Sequence, residues 1–126
     1  MSAQNGAQRC VFCDIVVGTA PANVAWRWDD AIAITPLRPV TPGHLLVIPR
    51  RHVSDFAQIP EVSAATMRRA AELARDRFDP WQPMNLITSR GHEATQTVFH
   101  LHVHLVPRRE GDGLALPWHA GKDAGK

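Results

Sequence analysis

The plainest pattern in the chain is an alternation near its end, Phe99-His100-Leu101-His102-Val103-His104-Leu105-Val106. Successive side chains of a strand point to opposite faces. The run therefore predicts one strand with Phe99, Leu101, Val103 and Leu105 on a core face and His100, His102 and His104 on the other. On a helix neither set would form a coherent surface. Residues 24–28 and 31–35 predict two strands joined by a tight turn at Asp29-Asp30. Residues 44–48 predict a buried strand closed by Pro49, and 84–88 another. Pro60 suits the first turn of a helix. Over 61–78, Val62, Met67, Ala70, Ala71, Leu73, Ala74 and Phe78 recur at helical spacing, which predicts an amphipathic helix covering a sheet. Prolines at 36, 39 and 42 make residues 36–43 a loop, and 10–17 predicts a short turn or helix. About five strands with hairpin-like neighbours and one long helix define an α+β fold on an antiparallel sheet. Residues 10–113 form the expected domain, 1–9 a disordered tail and 114–126 an irregular C-terminal tail.

At 126 residues the chain is long enough for one domain with a real core. Its net charge of +2 is small and its basic residues form no long run, so bulk nucleic-acid binding is not expected. No apolar run reaches bilayer length. Residues 1–9 are small and polar without an apolar core, so no signal peptide is expected and the expected location is cytoplasmic. Cys10 and Cys13 should then be reduced unless bound or catalytic.

Histidine is the side chain whose proton affinity lies near neutrality, and three on one strand face point to chemistry. A single metal bound by all three rings is disfavoured by geometry. Two residues advance a strand by about 6.6–6.8 Å, so His100 and His104 start about 13 Å apart, while ligand bonds to one ion are about 2 Å. The face divides its labour. Cys10-x-x-Cys13 has the spacing of half a tetrahedral zinc site. The competing redox dithiol normally opens a helix after a strand, and no strand is predicted before Cys10. Spacing alone does not choose the remaining ligands among His44, His52, His92, His100, His102, His104 and His119, although His52 and His100 could both reach a corner of the sheet. A four-ligand site has no open position and would act as a staple.

These residues resemble the histidine triad (HIT) family. The triad pattern is met at 100–106. The segment Pro42-Gly43-His44-Leu45-Leu46-Val47-Ile48-Pro49-Arg50-Arg51-His52 is similar to the family's Gly-His segment. Gln96-Thr97-Val98-Phe99 leads into the triad, and the opening Cys-x-x-Cys-x-Ile is common in the bacterial branch. The resemblance covers about residues 10–113. It implies an α+β homodimer with one continuous sheet, and nucleotidyl hydrolysis or transfer at phosphorus. His102 would be the nucleophile, His104 would contact the phosphate and help the leaving group, and His44 would support the network. Gln96 and Thr97 would hold the phosphate, and Ser89 takes the place of an Asn or Gln there. Phe12, Ile15, Ile34, Leu37 and Leu46 match the apolar base pocket, while Pro36 stands where the family places an acid for the ribose hydroxyls. Cys10, Cys13, His52 and His100 would bind structural zinc, with no catalytic metal required.

The chemistry expected of such a site is attack by a neutral imidazole nitrogen on the α-phosphorus of a nucleotide phosphoramidate, ester or dinucleoside polyphosphate. A labile phosphohistidine would form and then meet water. Two other readings stay open on the sequence. One is a zinc-stapled nucleotide-binding module with little or no catalysis. The other is a metallohydrolase with an ion on His102 and His104.

Overall fold

The computed structural model describes residues 10–119. In chain order these form α1 (Val11–Val17), β1 (Asn23–Arg27), β2 (Ala31–Thr35), β3 (Leu45–Pro49), α2 (Pro60–Arg77), β4 (Met84–Ile87), a single 3-10 turn (His92–Ala94) and β5 (Val103–Pro107). The five strands make one antiparallel sheet in the order β1-β2-β3-β5-β4. The expected α+β class is the observed one. The expected tail at 1–9, and 120–126 of the C-terminal tail, lie outside the described residues.

The sheet buries both faces at its centre, and the alternation of β2 and β3 says how. Ile32, Ile34, Leu46 and Ile48 point to one side and pack with Phe12 and Ile15 of α1. Ala33 and Val47 point to the other and pack with Ala70 and Leu73 of α2, together with Val103 and Leu105. His104 lies opposite Leu46 in the β3–β5 ladder, so its side chain falls on the α1 side. The histidine face and the first helix share one layer for that reason.

The ends of the elements follow from local chemistry. The Cys10 sulfur caps α1 by accepting the Cys13 N–H at 3.2 Å, and Gly18 ends the helix in the left-handed conformation at φ +88°. Pro60 opens α2, where its missing N–H costs nothing. Gly43 has φ +89°, and a Cβ there would press on Pro107 and Phe78 at 3.2 and 3.3 Å. Only glycine lets the chain pass this point and deliver His44 to the sheet.

Three expectations are corrected. The histidine strand is shorter than its alternation, because β5 begins only at Val103. Residues 99–102 run alongside the loop at Val53, whose carbonyl accepts the Leu101 N–H at 2.8 Å. Leu101, Val103 and Leu105 are buried as expected, but Phe99 is 41% exposed. On α2 the buried stripe is Thr66, Ala70 and Leu73, while Met67 and Ala71 face outward. Thr66 enters the core because its hydroxyl donates to the Val62 carbonyl at 2.8 Å, which satisfies the one group that would oppose burial. Finally, Leu37 is wholly exposed. Among the described residues no helix is long and apolar enough to cross a membrane.

Candidate active site and metal centre

Four donor groups converge where α1 meets the loop after β3. Cys10 Sγ lies 3.4 Å from His100 Nδ1, and Cys13 Sγ lies 3.3 Å from His52 Nδ1 and 3.5 Å from His100 Nδ1. The two Nδ1 atoms are 3.1 Å apart, and all four donor atoms lie within 4.8 Å of one another. Zinc bonds of about 2.3 Å to sulfur and 2.0–2.1 Å to nitrogen, at tetrahedral angles, set sulfur and nitrogen about 3.5 Å apart and two nitrogens about 3.3 Å apart. The cluster already has those separations. His100 Nε2–H donates to the Pro49 carbonyl at 2.8 Å, which leaves the Nδ1 lone pair facing the sulfurs, as a ligand requires. Burial pushes the Cys13 thiol up to about 12, with a further rise from Cys10, so a bare thiolate is unfavourable there without a bound cation. Neither cysteine is in a disulfide. The donor set fits structural zinc, held by Cys10, Cys13, His52 and His100, which ties α1 to the sheet.

The other two triad histidines belong to a different environment. His102 Nδ1–H donates to the His100 carbonyl at 2.8 Å, and its own carbonyl accepts the Thr88 hydroxyl at 2.8 Å. Its Nε2 is left with a lone pair. A second chain of bonds fixes His44 and His104. The Val40 N–H donates to His44 Nδ1 at 3.1 Å, so the His44 proton must sit on Nε2. That nitrogen faces His104 Nδ1 at 3.0 Å and donates to it, so the His104 proton sits on its Nε2. The rings of His102 and His104 are 5.3 Å apart. Burial is the main cause that lowers the proton affinity of His102, against the opposing bond to the His100 carbonyl. Burial also lowers that of His44. His104 falls to about 4 through burial, then the neighbouring His102 and His44. Burial favours the neutral form of all three rings. One presents a bare nitrogen and another an N–H to the same space.

That space is a cavity of ≈ 240 Å³ bordered by His44, His102 and His104 together with Ser89, Thr95 and Gln96. Gln96 borders the cavity but is buried, and its side chain ties the loop together: its amide N–H groups donate to the Ser54 and Val98 carbonyls, and its oxygen accepts the Gly91 N–H. Thr97 is exposed and does not border this cavity. Phe12 stands edge-on to the His102 ring at 5.0 Å, whereas Ile15 and Leu46 are core residues packed with Ile34. Leu37 joins neither group. Sequence reasoning missed Thr95, a β-branched residue at φ +69° on the cavity rim. It also missed the Val40 N–H that sets the tautomer of His44, because no pattern in the sequence announces a backbone donor.

A buried, tautomerically defined histidine pair beside a zinc-stapled helix, on a five-stranded α+β sheet, defines a small hydrolase of histidine-triad type. The HIT domain family model matches residues 17–111, and the chain belongs to the HIT family. A zinc-bound histidine triad family protein from Mycobacterium smegmatis is 40% identical, with a TM-score of 0.72 over 88% of this chain and 83% of that one. A HIT family hydrolase from Clostridium thermocellum is 32% identical, with a TM-score of 0.74 over 82% of this chain and 93% of that one. The adenylylsulfatase HINT3 of Arabidopsis thaliana is 32% identical over 83% of this chain and 55% of its own length. This chain is an enzyme of the same hydrolase family.

Proposed function

We propose that the protein hydrolyses or transfers a nucleotidyl group at the α-phosphorus of a nucleotide phosphoramidate, ester or anhydride, through a covalent bond to His102. The observation that carries this reading is the 2.8 Å bond from His102 Nδ1–H to the His100 carbonyl, which leaves an unprotonated Nε2 beside the cavity. The Nε2 lone pair forms a P–N bond while the bond from phosphorus to the leaving group breaks. The displaced atom keeps the bonding pair. His104 Nε2–H hydrogen-bonds the charge that gathers there, and solvent supplies the proton the atom finally holds. Water then attacks phosphorus, gives up a proton to solvent, and the P–N pair returns to Nε2. Gln96 keeps the loop in place, and Ser89, on the cavity border, is proposed to meet phosphate oxygens. Phe12, edge-on to the His102 ring, is proposed for the base, with Ile15 and Leu46 backing it from the core. An adenylylsulfatase relative supports adenosine compounds as the first probes.

The His102→Ala variant should lose turnover of a fluorogenic adenosine phosphoramidate while keeping its melting temperature, and mass spectrometry of quenched wild-type enzyme should find the nucleotidyl adduct on residue 102. Full activity in the variant would overturn the assignment. A nucleotide-binding module with little catalysis is favoured by one feature, Pro36, which offers no hydrogen-bonding side chain where the family places a ribose-binding acid. Calorimetry with AMP beside a turnover assay separates the two: tight binding without turnover selects the module.

We further propose a homodimer in which the sheet continues from one copy to the next. The free edge strand β4 exposes Leu86 and Ile87, and Phe56 and Met67 lie exposed on the same groove. A paired edge removes that liability. Sedimentation of the full chain should give twice the monomer mass, and a monomer at micromolar concentration would refute it. The proposed setting is cytoplasmic, with no bulk nucleic-acid partner.

A further inference from the structure

One wall of the cavity beside His102 and His104 lies outside the sheet. Leu114, Ala115 and Leu116 follow the turn after β5 and still border the same cavity as the histidines. Residues 114 and 115 belong to no regular element, and among the described residues Leu116 bridges to His119, three residues on. What ties this segment to the sheet is Arg108, the residue immediately after β5. Its Nε and Nη2 donate to the two carboxylate oxygens of Asp112 at 2.8 and 3.1 Å. Nη2 also donates to the Leu114 carbonyl at 3.0 Å, and Nη1 to Asn85 Oδ1 at 2.8 Å. Asp112 in turn accepts the backbone N–H groups of Arg109 and Leu114 at 2.9 and 3.0 Å. The two side chains are only 17% and 8% exposed. The guanidinium and the two backbone donors hold the Asp112 carboxyl well below the usual carboxylate range. The planar fork of arginine makes four directed bonds here, and an ammonium would not reproduce them.

We propose that Arg108 and Asp112 are positioning residues that hold residues 114–116 as the outer wall of the active-site cavity, and that this wall selects displaced groups that are uncharged and apolar. The inference rests on the catalytic reading above and deepens it. Apolar side chains of Ile87, Val106, Leu114 and Leu116 line the cavity together with the histidines, and among its described lining residues the one permanent cation is Arg108. The charge of Arg108 is already spent on Asp112. An anionic displaced group, such as the phosphate of a nucleoside diphosphate, would enter without an unpaired cation and would compete with Asp112 for the same fork. Desolvating an unpaired charge is costly, whereas apolar area gains by burial.

The experiment compares three probes on the full-length zinc-loaded protein: the unsubstituted and the N-benzyl phosphoramidates of AMP, and ADP. The wild type should favour the N-benzyl compound in kcat/KM and turn over ADP least. In Asp112→Asn and in Arg108→Lys the preference for the N-benzyl over the unsubstituted amide should shrink about tenfold, the scale of a lost apolar contact in a pocket. A role confined to stability would lower both amides alike. If either variant fails to fold, Leu116→Ala should give the same narrowing by trimming the wall itself. Faster turnover of ADP than of the N-benzyl amide, or an unchanged ratio of the two amides in variants that fold, would overturn the proposal. His102→Ala run in parallel keeps the two ideas apart, because retained turnover there sinks the catalytic reading rather than the wall.

Discussion

His100 and His102 are two residues apart and do opposite work. His100 is wholly buried and turns its ring into a closed cluster of two sulfurs and a second imidazole. His102 borders an open cavity and keeps one nitrogen bare. The same side chain is fitted to be a ligand in one case and, in the proposed reaction, a nucleophile in the other, because a different ring nitrogen donates to a carbonyl in each. The Pro49 carbonyl accepts the His100 Nε2–H, so Nδ1 faces the two sulfurs. The His100 carbonyl accepts the His102 Nδ1–H, so the unprotonated Nε2 is left beside the cavity. The lesson is that a histidine's role here is decided by where its spare proton is held, more than by its place in a motif.

The sharpest way to break this comparison is to delete each ring in turn. His102→Ala should cut turnover by at least about a thousandfold while metal analysis still finds one zinc per chain. His100→Ala should do the reverse first: zinc is lost, and the melting temperature drops by roughly 10 °C or more as a staple between α1 and the sheet disappears. If His102→Ala released the metal, the two environments would not be separate. Next in size is His44→Ala, which frees His104 Nδ1 from its donor and unsettles the His104 tautomer. Turnover should fall about 10²-fold, with little change in zinc content.

Acid offers a gentler probe of the same contrast. An unfolded imidazole takes up its proton near 6.5, but His104 in the fold resists until about 4. Between these values the unfolded chain holds more protons, so stability declines as pH is lowered from about 6.5 towards 4 and is unaffected by this pair above 6.5. Melting temperatures across that range should slope downward with acid, more gently in His104→Phe than in the wild type. An equal slope in both would remove the pair as the cause. The smallest expected effect is at the cavity rim. Thr95 holds φ +69°, which a β-branched residue adopts at a cost of about 1–2 kcal/mol. Replacing it by glycine, which adopts that conformation freely but loses more entropy on folding, should stabilise the fold by about 0.5 kcal/mol. A measured loss of stability in Thr95→Gly would mean that its side chain contributes more than its backbone costs.

Much of the sheet was legible because alternation is a local rule: β2, β3 and the core side of β5 each bury every second residue to a given face, as their sequence demands. The strand start at Val103 was not, since residues 99–102 pair with a loop at Val53 that lies far away in sequence. On α2 the buried face includes a threonine, and only the carbonyl of Val62 explains why it is tolerated. Two zinc ligands were plain from Cys10-x-x-Cys13. The choice of His52 and His100 from seven histidines needed the fold itself, or the family resemblance, because spacing says nothing about residues brought together by the crossing of α1 over β3. Leu37 matched an apolar pattern, yet it sits on a proline-rich loop that turns it to solvent. The Arg108–Asp112 fork was invisible as function, since an arginine at a strand end is ordinarily solvated.

The main-chain oxygen of residue 100 has one more consequence. It accepts the N–H that aims the His102 ring, while the ring on its own residue faces the two sulfurs. A shift of that one backbone unit would misdirect the reactive nitrogen without touching a single atom of it. The metal clasp and the aim of the His102 ring are therefore coupled through one peptide unit, and loss of the cysteines would loosen the anchor on which that ring depends.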